Sequence, residues 1–298
     1  MTIPNWLAPL ISIPGVKDVL LFGGHCLVDC GGALQPIKSP FSDSQELEKE
    51  LRQLAFENGA RLDIASPMLD LSIDNLRLHM LLPHGVSNQA SLSVRVHSDE
   101  FINLNKLVAE KMLSEEQAEF LANAVLGKKT IVISGATSSG KTTLLRALLA
   151  ESKERIITIE QVPELFLPFP AISLIARENN QEGVGKVTLT QLVTQSLRMR
   201  PDRVVVGEVR KEEFLAFLQA VSNGHPGSLT TLHATSLDQI PQRLLILGLL
   251  SGISAELTTQ FVSSSIDFFI QLERNPTRHV SAIASVQLVS GHMQMERI

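Results

Sequence analysis

Eight residues, Gly135 to Thr142, fit the pattern G-x-x-x-x-G-K-[S/T]. An apolar run, Thr130–Ile133, precedes them, and a run with helical spacing, Leu144–Leu149, follows. A strand, a glycine-bracketed loop and a helix in this order form a P-loop, whose backbone N–H groups hold phosphate oxygens. Lys141 would reach the β- and γ-phosphates, and the Thr142 hydroxyl would hold Mg²⁺. The candidate nucleotide-binding residues are Gly135, Ala136, Thr137, Ser138, Ser139, Gly140, Lys141, Thr142 and Thr143.

Carboxylates follow two other predicted strands. Glu160 ends the run 155–159, and Glu164 comes one turn later, where it could orient or deprotonate an attacking water. Glu208 follows the valine-rich run 203–206 and resembles a Walker B acid that holds Mg²⁺ through water. Two alternatives remain: acidic residues that flank a surface turn, and a Glu208 that caps the next helix.

Two histidines and one arginine complete the candidate site. His233 ends the run 228–232 and could touch the γ-phosphate, whereas backbone partners could equally satisfy it. The separation of His225 and His233 gives neither helical i,i+4 pairing nor a third ligand, which disfavours a zinc site. Arg210 follows Glu208, and arginines of this kind are most often solvated surface.

Strands and helices alternate from residue 113 onwards, which predicts a mostly parallel sheet with helices on both faces. This domain, 113–298, follows a linker at 98–112 and a smaller α+β domain at 1–97. The elements predicted for the larger domain are strands at 130–134, 155–159, 172–176, 203–206, 228–232 and 280–288, and helices at 141–151, 189–198, 211–222 and 236–249. Strands of the smaller domain are predicted near 61–64, 76–82 and 90–96.

Composition narrows the class of protein. Hydrophobic residues make up 44% of the 298, enough for a core, while a net charge of −5 and 4% aromatics argue against nucleic-acid binding. The apolar run 244–250 is too short to span a bilayer, and residues 1–6 do not resemble a signal peptide. We therefore expect a cytoplasmic protein that meets the membrane through partners, with Cys26 and Cys30 as reduced thiols.

Two longer motifs resemble the secretion ATPase superfamily, the motors of type II secretion, type IV secretion and type IV pili. They are Leu197-Arg198-Met199-Arg200-Pro201-Asp202-Arg203-Val204-Val205-Val206-Gly207-Glu208-Val209-Arg210 and Gly224-His225-Pro226-Gly227-Ser228-Leu229-Thr230-Thr231-Leu232-His233-Ala234-Thr235-Ser236. Residues 177–188 and 66–70 are similar to the CpaF/TadA group of tight-adherence (Flp) pilus ATPases. The resemblance covers roughly residues 10–290.

The resemblance implies a RecA-like P-loop domain that hydrolyses Mg-ATP. It assigns Lys141 and Thr142 to the Walker A motif and Glu164 to the catalytic carboxylate, with Glu160 in the same acidic motif. It makes Glu208 an atypical Walker B residue.

It also implies that His225 and His233 form a histidine box. Arg77 and Arg95 match arginines of the N-terminal domain that reach a nucleotide bound to the RecA-like domain. An arginine fork would stabilise γ-phosphate charge there.

Four positions depart from the family pattern. Ala136 and Ser138 replace two glycines of the loop, and Ser138 would carry strain at positive φ. Gln161 replaces an aspartate, and Lys211 stands where glycine is common. Since Lys141 and Glu164 remain, we expect activity, reduced at most.

The leading interpretation is a cytoplasmic, hexameric ATPase at the inner face of the cytoplasmic membrane. It would drive Tad/Flp pilus assembly through inner-membrane platform proteins, without a direct nucleic-acid partner. Two alternatives stay open: a type IV secretion motor that moves protein or DNA, and a nucleotide-binding regulator with weak hydrolysis.

Overall fold

The computed structural model describes residues 3–96, 102–177, 179, 184–275 and 277–298. The chain forms two compact units, Met1–Glu100 and Phe101–Ile298. The domain limits given above stay predictions. Part of the segment 177–188, which carried the comparison with pilus ATPases, lies outside the described residues: these are 178 and 180–183.

The first unit is an antiparallel sheet with a helix packed on it. Its elements are α1 (Ala8–Ile11), β1 (Asp18–Phe22), β2 (His25–Asp29), β3 (Gln35–Ile37), α2 (Ser44–Glu57), β4 (Met68–Ile73), β5 (Leu76–Leu81) and β6 (Ser91–Val96). The strand order is β3-β2-β1-β6-β5-β4. Asp43 caps α2 by accepting the backbone N–H groups of Gln45 and Glu46. Leu47, Leu51 and Leu54 of α2 are buried in the core of this unit.

The prediction of a strand at 61–64 is wrong. The Asp63 carboxylate accepts the backbone N–H groups of Ala65 and Ser66, which holds a turn at this position. The strand begins after this turn, at Met68.

The second unit carries the larger sheet. Its elements are α3 (Leu104–Ala109), α4 (Glu115–Leu126), β7 (Ile131–Gly135), α5 (Lys141–Ala150), β8 (Ile156–Glu160), β9 (Ile172–Ile175), α6 (Leu189–Ser196), β10 (Arg203–Val206), α7 (Glu213–Ser222), β11 (Leu229–Leu232), α8 (Ile240–Leu250), α9 (Ala255–Ser265), β12 (Phe268–Glu273), β13 (His279–Val289) and β14 (His292–Arg297). The strand order is β14-β13-β12-β7-β11-β10-β8-β9. The six strands β12, β7, β11, β10, β8 and β9 are neighbours in this order, and each pair is parallel. At one edge, β13 is antiparallel to β12, and β14 is antiparallel to β13.

Helices cover both faces of this sheet, as the side chains of β7 show. Ile131 and Ile133 belong to a core cluster with helices α3 to α5, and Val132 belongs to a second cluster with helices α6 to α9. Successive side chains of a strand point to opposite faces. The predicted α/β fold class, with a mostly parallel sheet preceded by a smaller α+β unit, is confirmed.

The sequence prediction missed β12 and α9. β12 pairs in parallel with β7, with Leu272 opposite Gly135. Its short apolar run follows the polar residues of 263–265, so its periodicity does not distinguish a strand from the end of a helix.

The segment predicted as a linker contains a packed helix. Asn103 caps α3 by accepting the N–H of Lys106, and Leu104 and Leu107 are buried in the second unit. The residues before this helix, 97–101, lie outside the described part of the chain.

None of the helices in the described part of the chain combines the length and apolarity needed to span a bilayer alone. By length and composition, the bent pair Leu237–Leu250 and Ala255–Ser265 meets these criteria when the two are taken together.

Candidate active site

The phosphate loop connects β7 to α5 and lies at the carboxyl ends of the parallel strands. Gly135 and Gly140 have φ of 158° and 98°. A methyl group on Gly135 would lie 2.4 Å from Ser139 Oγ and 2.9 Å from the Leu272 carbonyl oxygen, so a side chain is excluded. Ser138 has a φ of 61°, a conformation that strains a residue with a side chain, as the sequence comparison anticipated. Ala136 and Thr137 are exposed, and Thr143 lies half-buried in the first turn of α5.

Lys141 is buried and bonds to its own loop. Its Nζ donates to the carbonyl oxygens of Gly135 at 3.0 Å and Ala136 at 2.9 Å. Burial lowers the pKa of Lys141, while the negative charges of Glu208 and Glu164 oppose this shift. The lysine is therefore held at the loop where an incoming phosphate would compete with the carbonyls for its donors.

Glu164 meets the P-loop directly. The Thr142 hydroxyl donates to Glu164 Oε2 at 3.0 Å. This contact places a carboxylate beside the predicted Mg²⁺ ligand, where an attacking water would have to be activated.

Glu160 serves the loop that carries Glu164. Its carboxylate accepts the backbone N–H groups of Glu164 at 3.0 Å and Leu165 at 3.1 Å. The side chain is 4% exposed, and burial raises the pKa of Glu160 to about 7. A methyl group on Gly207 would lie 3.1 Å from Glu160 Cγ, so the residue after β10 leaves room for this acid. The geometry gives Glu160 a positioning contact, a role that the sequence did not distinguish from a catalytic one.

Glu208 sits between the side chains of a histidine and an arginine. His233 Nε2 lies 2.8 Å from Glu208 Oε1, and Arg210 Nη2 lies 2.5 Å from Glu208 Oε2. β10 and β11 are parallel neighbours, which explains why residues 25 positions apart in sequence meet here.

His233 is biased toward the neutral form. Burial lowers its pKa, and Glu208 opposes this shift. The positive charges of Lys141, Arg210 and Arg243 add to the lowering. The site thus carries three cations, Lys141, Arg210 and Arg243, against two carboxylates, Glu164 and Glu208, a surplus of positive charge that suits an anionic ligand.

The sequence analysis missed Arg243, which lies in the first turns of α8. Its Nε is buried and has no hydrogen-bond partner among the described residues. The only sequence signal was its place in the helix that follows His233, and an arginine in a helix usually indicates a solvated face.

His225 does not join this cluster, and its predicted role at a nucleotide stays a prediction. It precedes β11, whereas His233 follows it, so the two lie at opposite ends of the strand. Its Nδ1 lies 3.2 Å from the Ala220 carbonyl oxygen, a backbone partner.

Arg203, at the start of β10, is buried. It forms an ion pair with Glu154 and donates to the carbonyl oxygens of Gly227 at 2.7 Å and Val125 at 2.5 Å. It is a structural cation of the core.

Arg77 and Arg95 lie in the first unit, directly opposite each other on β5 and β6. Arg95 Nε donates to Asp18 at 2.9 Å, while Arg77 makes no hydrogen bond or ion pair with any residue that the structure describes. Like charges opposite each other on antiparallel strands are unfavourable unless an anion lies between them. Their role at a nucleotide stays a prediction.

The chain offers a magnesium ion few protein ligands. Among the described residues, no group of three or more histidine, cysteine, aspartate or glutamate side chains could hold a metal. Mg²⁺ in nucleotide sites usually takes one or two protein oxygens, with phosphate oxygens and water completing its shell. The Thr142 hydroxyl with Glu164 beside it fits that pattern.

Comparison with known proteins agrees with this geometry. A family model described as "Type II/IV secretion system protein" matches residues 66–292. A protein of Mycobacterium tuberculosis H37Rv, provisionally named a conjugal transfer protein, is 34% identical over 301 residues, which cover 97% of this chain and 86% of that protein. The type IV secretion system protein VirB11 of Bartonella quintana is 35% identical over 181 residues, covering 59% of this chain and 51% of VirB11.

Solved structures give the same result. The VirB11 ATPase of the Brucella suis type IV secretion system, solved with sulphate, is 25% identical with a TM-score of 0.52, covering 94% of this chain and 95% of VirB11. The Legionella pneumophila ATPase DotB shares the fold, with a TM-score of 0.67 at 19% identity over 92% of this chain and 77% of DotB.

Proposed function

Because the chain belongs to the type II/IV secretion system protein family, we propose that it hydrolyses Mg-ATP at the loop Gly135–Thr142, with Glu164 as the water-activating carboxylate. The predicted enzyme class, an ATP hydrolase, is confirmed by this membership and by the VirB11 ATPase. The observation that carries the assignment of Glu164 is the 3.0 Å hydrogen bond between Thr142 Oγ1 and Glu164 Oε2.

The loop residues bind the phosphates in this proposal. The N–H groups at the start of α5 hold phosphate oxygens, and Lys141 exchanges its two carbonyl partners for phosphate oxygens. The Thr142 hydroxyl oxygen would hold Mg²⁺, which when bound would neutralise charge that develops on the phosphates. Glu164 is left free to orient water and accept its proton.

Glu208, His233 and Arg210 form the other side of the site. A neutral His233 has one N–H, which could turn from Glu208 to the γ-phosphate, and Arg210 supplies positive charge beside it. Glu208 holds Arg210 and could reach a Mg²⁺ shell through water.

The cellular task is a further part of the proposal. We infer a hexamer in the cytoplasm that acts on inner-membrane platform proteins and contacts the membrane through them. Arg77 and Arg95 would bring the N-terminal unit to the nucleotide. Residues 66–70 and 177–188 support Tad/Flp pilus assembly as the task.

A second candidate task is type IV secretion or conjugal transfer. The names of the Mycobacterium tuberculosis and Bartonella quintana relatives favour it. Cross-linking in the native cell followed by mass spectrometry separates the two tasks. Capture of pilus platform proteins supports the first, and capture of DNA-coupling components supports the second.

Two variants test the chemistry. We expect Lys141→Ala to abolish nucleotide binding, because it removes the charge that faces the phosphates. Glu164→Gln keeps an oxygen for the Thr142 hydroxyl and loses the base, so it should bind ATP and hydrolyse it at least about 100-fold more slowly. Phosphate release at saturating Mg-ATP and a concentration that forms the oligomer is the measurement, with exposed Glu256→Gln as the matched control. Wild-type turnover by Glu164→Gln would refute the assignment.

A further inference from the structure

Leu272 of β12 and Arg278, which precedes β13, lie beside the P-loop. At the start of the loop, the Leu272 carbonyl oxygen lies 2.9 Å from the position of a methyl group on Gly135. At its end, a methyl group on Gly140 would lie 3.7 Å from Arg278 Cδ and 2.8 Å from Met112 Cε. Gly135 thus has Leu272 as a neighbour, and Gly140 has Arg278.

Arg278 is held there by its neighbours in sequence. The Val280 N–H donates to the Met112 carbonyl oxygen at 2.9 Å, and Gln117 Nε2 donates to the Val280 carbonyl oxygen at 3.3 Å. These bonds tie the first residues of β13 to Met112, which precedes α4, and to the first turn of α4. The backbone that carries Arg278 is therefore anchored beside the N-terminus of α5.

The charge of Arg278 has no counterpart among the residues that the structure describes. The side chain is exposed, and it makes no hydrogen bond or ion pair with any residue in the described part of the chain. Its guanidinium begins at the atom after Cδ, so its donors are within reach of Gly140, the N-cap residue of α5. The free N–H groups of a helix N-terminus bind anions, and an arginine beside them adds a bidentate donor.

We propose that Arg278 binds the phosphate chain of the nucleotide, at the Gly140 end of the loop and away from Lys141. This inference rests on the proposed function, since it needs a nucleotide in the P-loop. Lys141 bonds to Gly135 and Ala136 at the loop's beginning, so the two cations flank the loop from its two ends. Because Gly140 has no side chain, a phosphate can approach Arg278 at this end of the loop.

The test compares binding by the full chain and its variants. Calorimetric titration with Mg and the non-hydrolysable analogue AMP-PNP, and separately with ADP, gives the Kd for wild type, Arg278→Ala and Arg278→Lys. Loss of one charge-assisted contact to phosphate should raise both Kd values about tenfold or more in Arg278→Ala, and less in Arg278→Lys. Arg297→Ala is the matched control, because Arg297 is an exposed arginine of the same unit on the edge strand β14.

Inorganic tripolyphosphate identifies the part of the nucleotide that Arg278 contacts. Its competition constant against AMP-PNP should weaken in Arg278→Ala by a similar factor. Weaker nucleotide binding with unchanged tripolyphosphate binding would overturn the proposal, because it would indicate a contact to the base or ribose. A Kd within twofold of Arg297→Ala would overturn it as well, and would leave Arg278 to bind a carboxylate of another chain.

Different results would refute the proposed function and the role of Arg278. Wild type that binds no nucleotide would refute the proposed function. Wild-type binding that Lys141→Ala abolishes and Arg278→Ala retains would refute only the role of Arg278. Thermal unfolding without ligand checks the fold, and Arg278→Ala should match wild type because the side chain is exposed and unpaired among the described residues.

Discussion

Replacing Glu160 by glutamine removes a buried acid and preserves the shape of the side chain. Burial raises the pKa of Glu160 to about 7. The bonds from the N–H groups of Glu164 and Leu165 lower it, the charge of Glu164 raises it, and Arg146 lowers it. Since glutamine keeps an oxygen for both N–H groups and never ionises, the substitution isolates the effect of the charge.

The sign of the pH effect follows from the raised pKa. The folded chain binds this proton more tightly than the unfolded chain, whose glutamate has the ordinary pKa of 4.5. The stabilisation is therefore fully present below pH 4.5 and is lost as the pH rises through about 7. The whole shift corresponds to about 3 kcal/mol, of which about 2 kcal/mol falls between pH ~5.5 and ~8.5.

Urea unfolding followed by far-UV circular dichroism measures this difference at both pH values. The free energy of unfolding of Glu160→Gln, relative to wild type, should rise by about 2 kcal/mol from pH ~5.5 to ~8.5. Because both proteins are compared at the same pH, the contribution of the first unit cancels. Exposed Glu256→Gln is the control. A change below about 0.5 kcal/mol in the relative free energy would refute the reasoning.

The same substitution should alter the pH profile of hydrolysis. An ionised carboxylate bonds N–H groups more strongly than a neutral acid or amide does. Wild-type turnover should therefore rise through about pH 7, as Glu160 ionises and fixes the loop that carries Glu164. Glu160→Gln should be slower, and its profile should be flat in this range.

Two further substitutions test the strain in the loop and the buried cation. Ser138→Gly should raise the free energy of unfolding by about 0.5–1 kcal/mol, because Ser138 has a φ of 61°; no gain in urea unfolding would contradict strain at this position. Arg203→Met leaves the Glu154 carboxylate and two backbone carbonyls without their donor, so it should lower the free energy of unfolding by about 3–5 kcal/mol. Exposed Arg198→Met is the control, and equal effects of the two would show that Arg203 is not a structural cation.

Local signals in the sequence predicted the phosphate loop and its neighbours well. The predicted strand at 130–134 and helix at 141–151 correspond to β7, Ile131–Gly135, and α5, Lys141–Ala150. Glycines, the lysine and the flanking apolar runs all lie within about 20 residues of one another, so pattern and propensity act on one short stretch. The superfamily, predicted from longer motifs of the same kind, is confirmed.

Contacts between distant residues could not be predicted in this way. β12 lies beside β7 although more than 130 residues separate Leu272 from Gly135, and its run of five apolar-rich residues has no distinctive period. His225 and His233 look equivalent in a motif, yet a strand of four residues places them at opposite ends. Strand order decides which side chains meet, and it depends on packing of the whole sheet.

The departures from the family pattern bear on whether hydrolysis is weak. Gln161 replaces an acid, but the acidic contacts in the site are made by its neighbours: Glu160 holds the loop backbone, and Glu164 meets Thr142. Ser138 keeps the left-handed backbone that a glycine would adopt. A serine instead of a glycine at this position therefore changes stability more than it changes the positions of the phosphate-binding N–H groups. A nucleotide-binding regulator with little catalysis would need a missing or displaced group, and Lys141, Thr142 and Glu164 lie together. The geometry therefore favours a working hydrolase over a regulator.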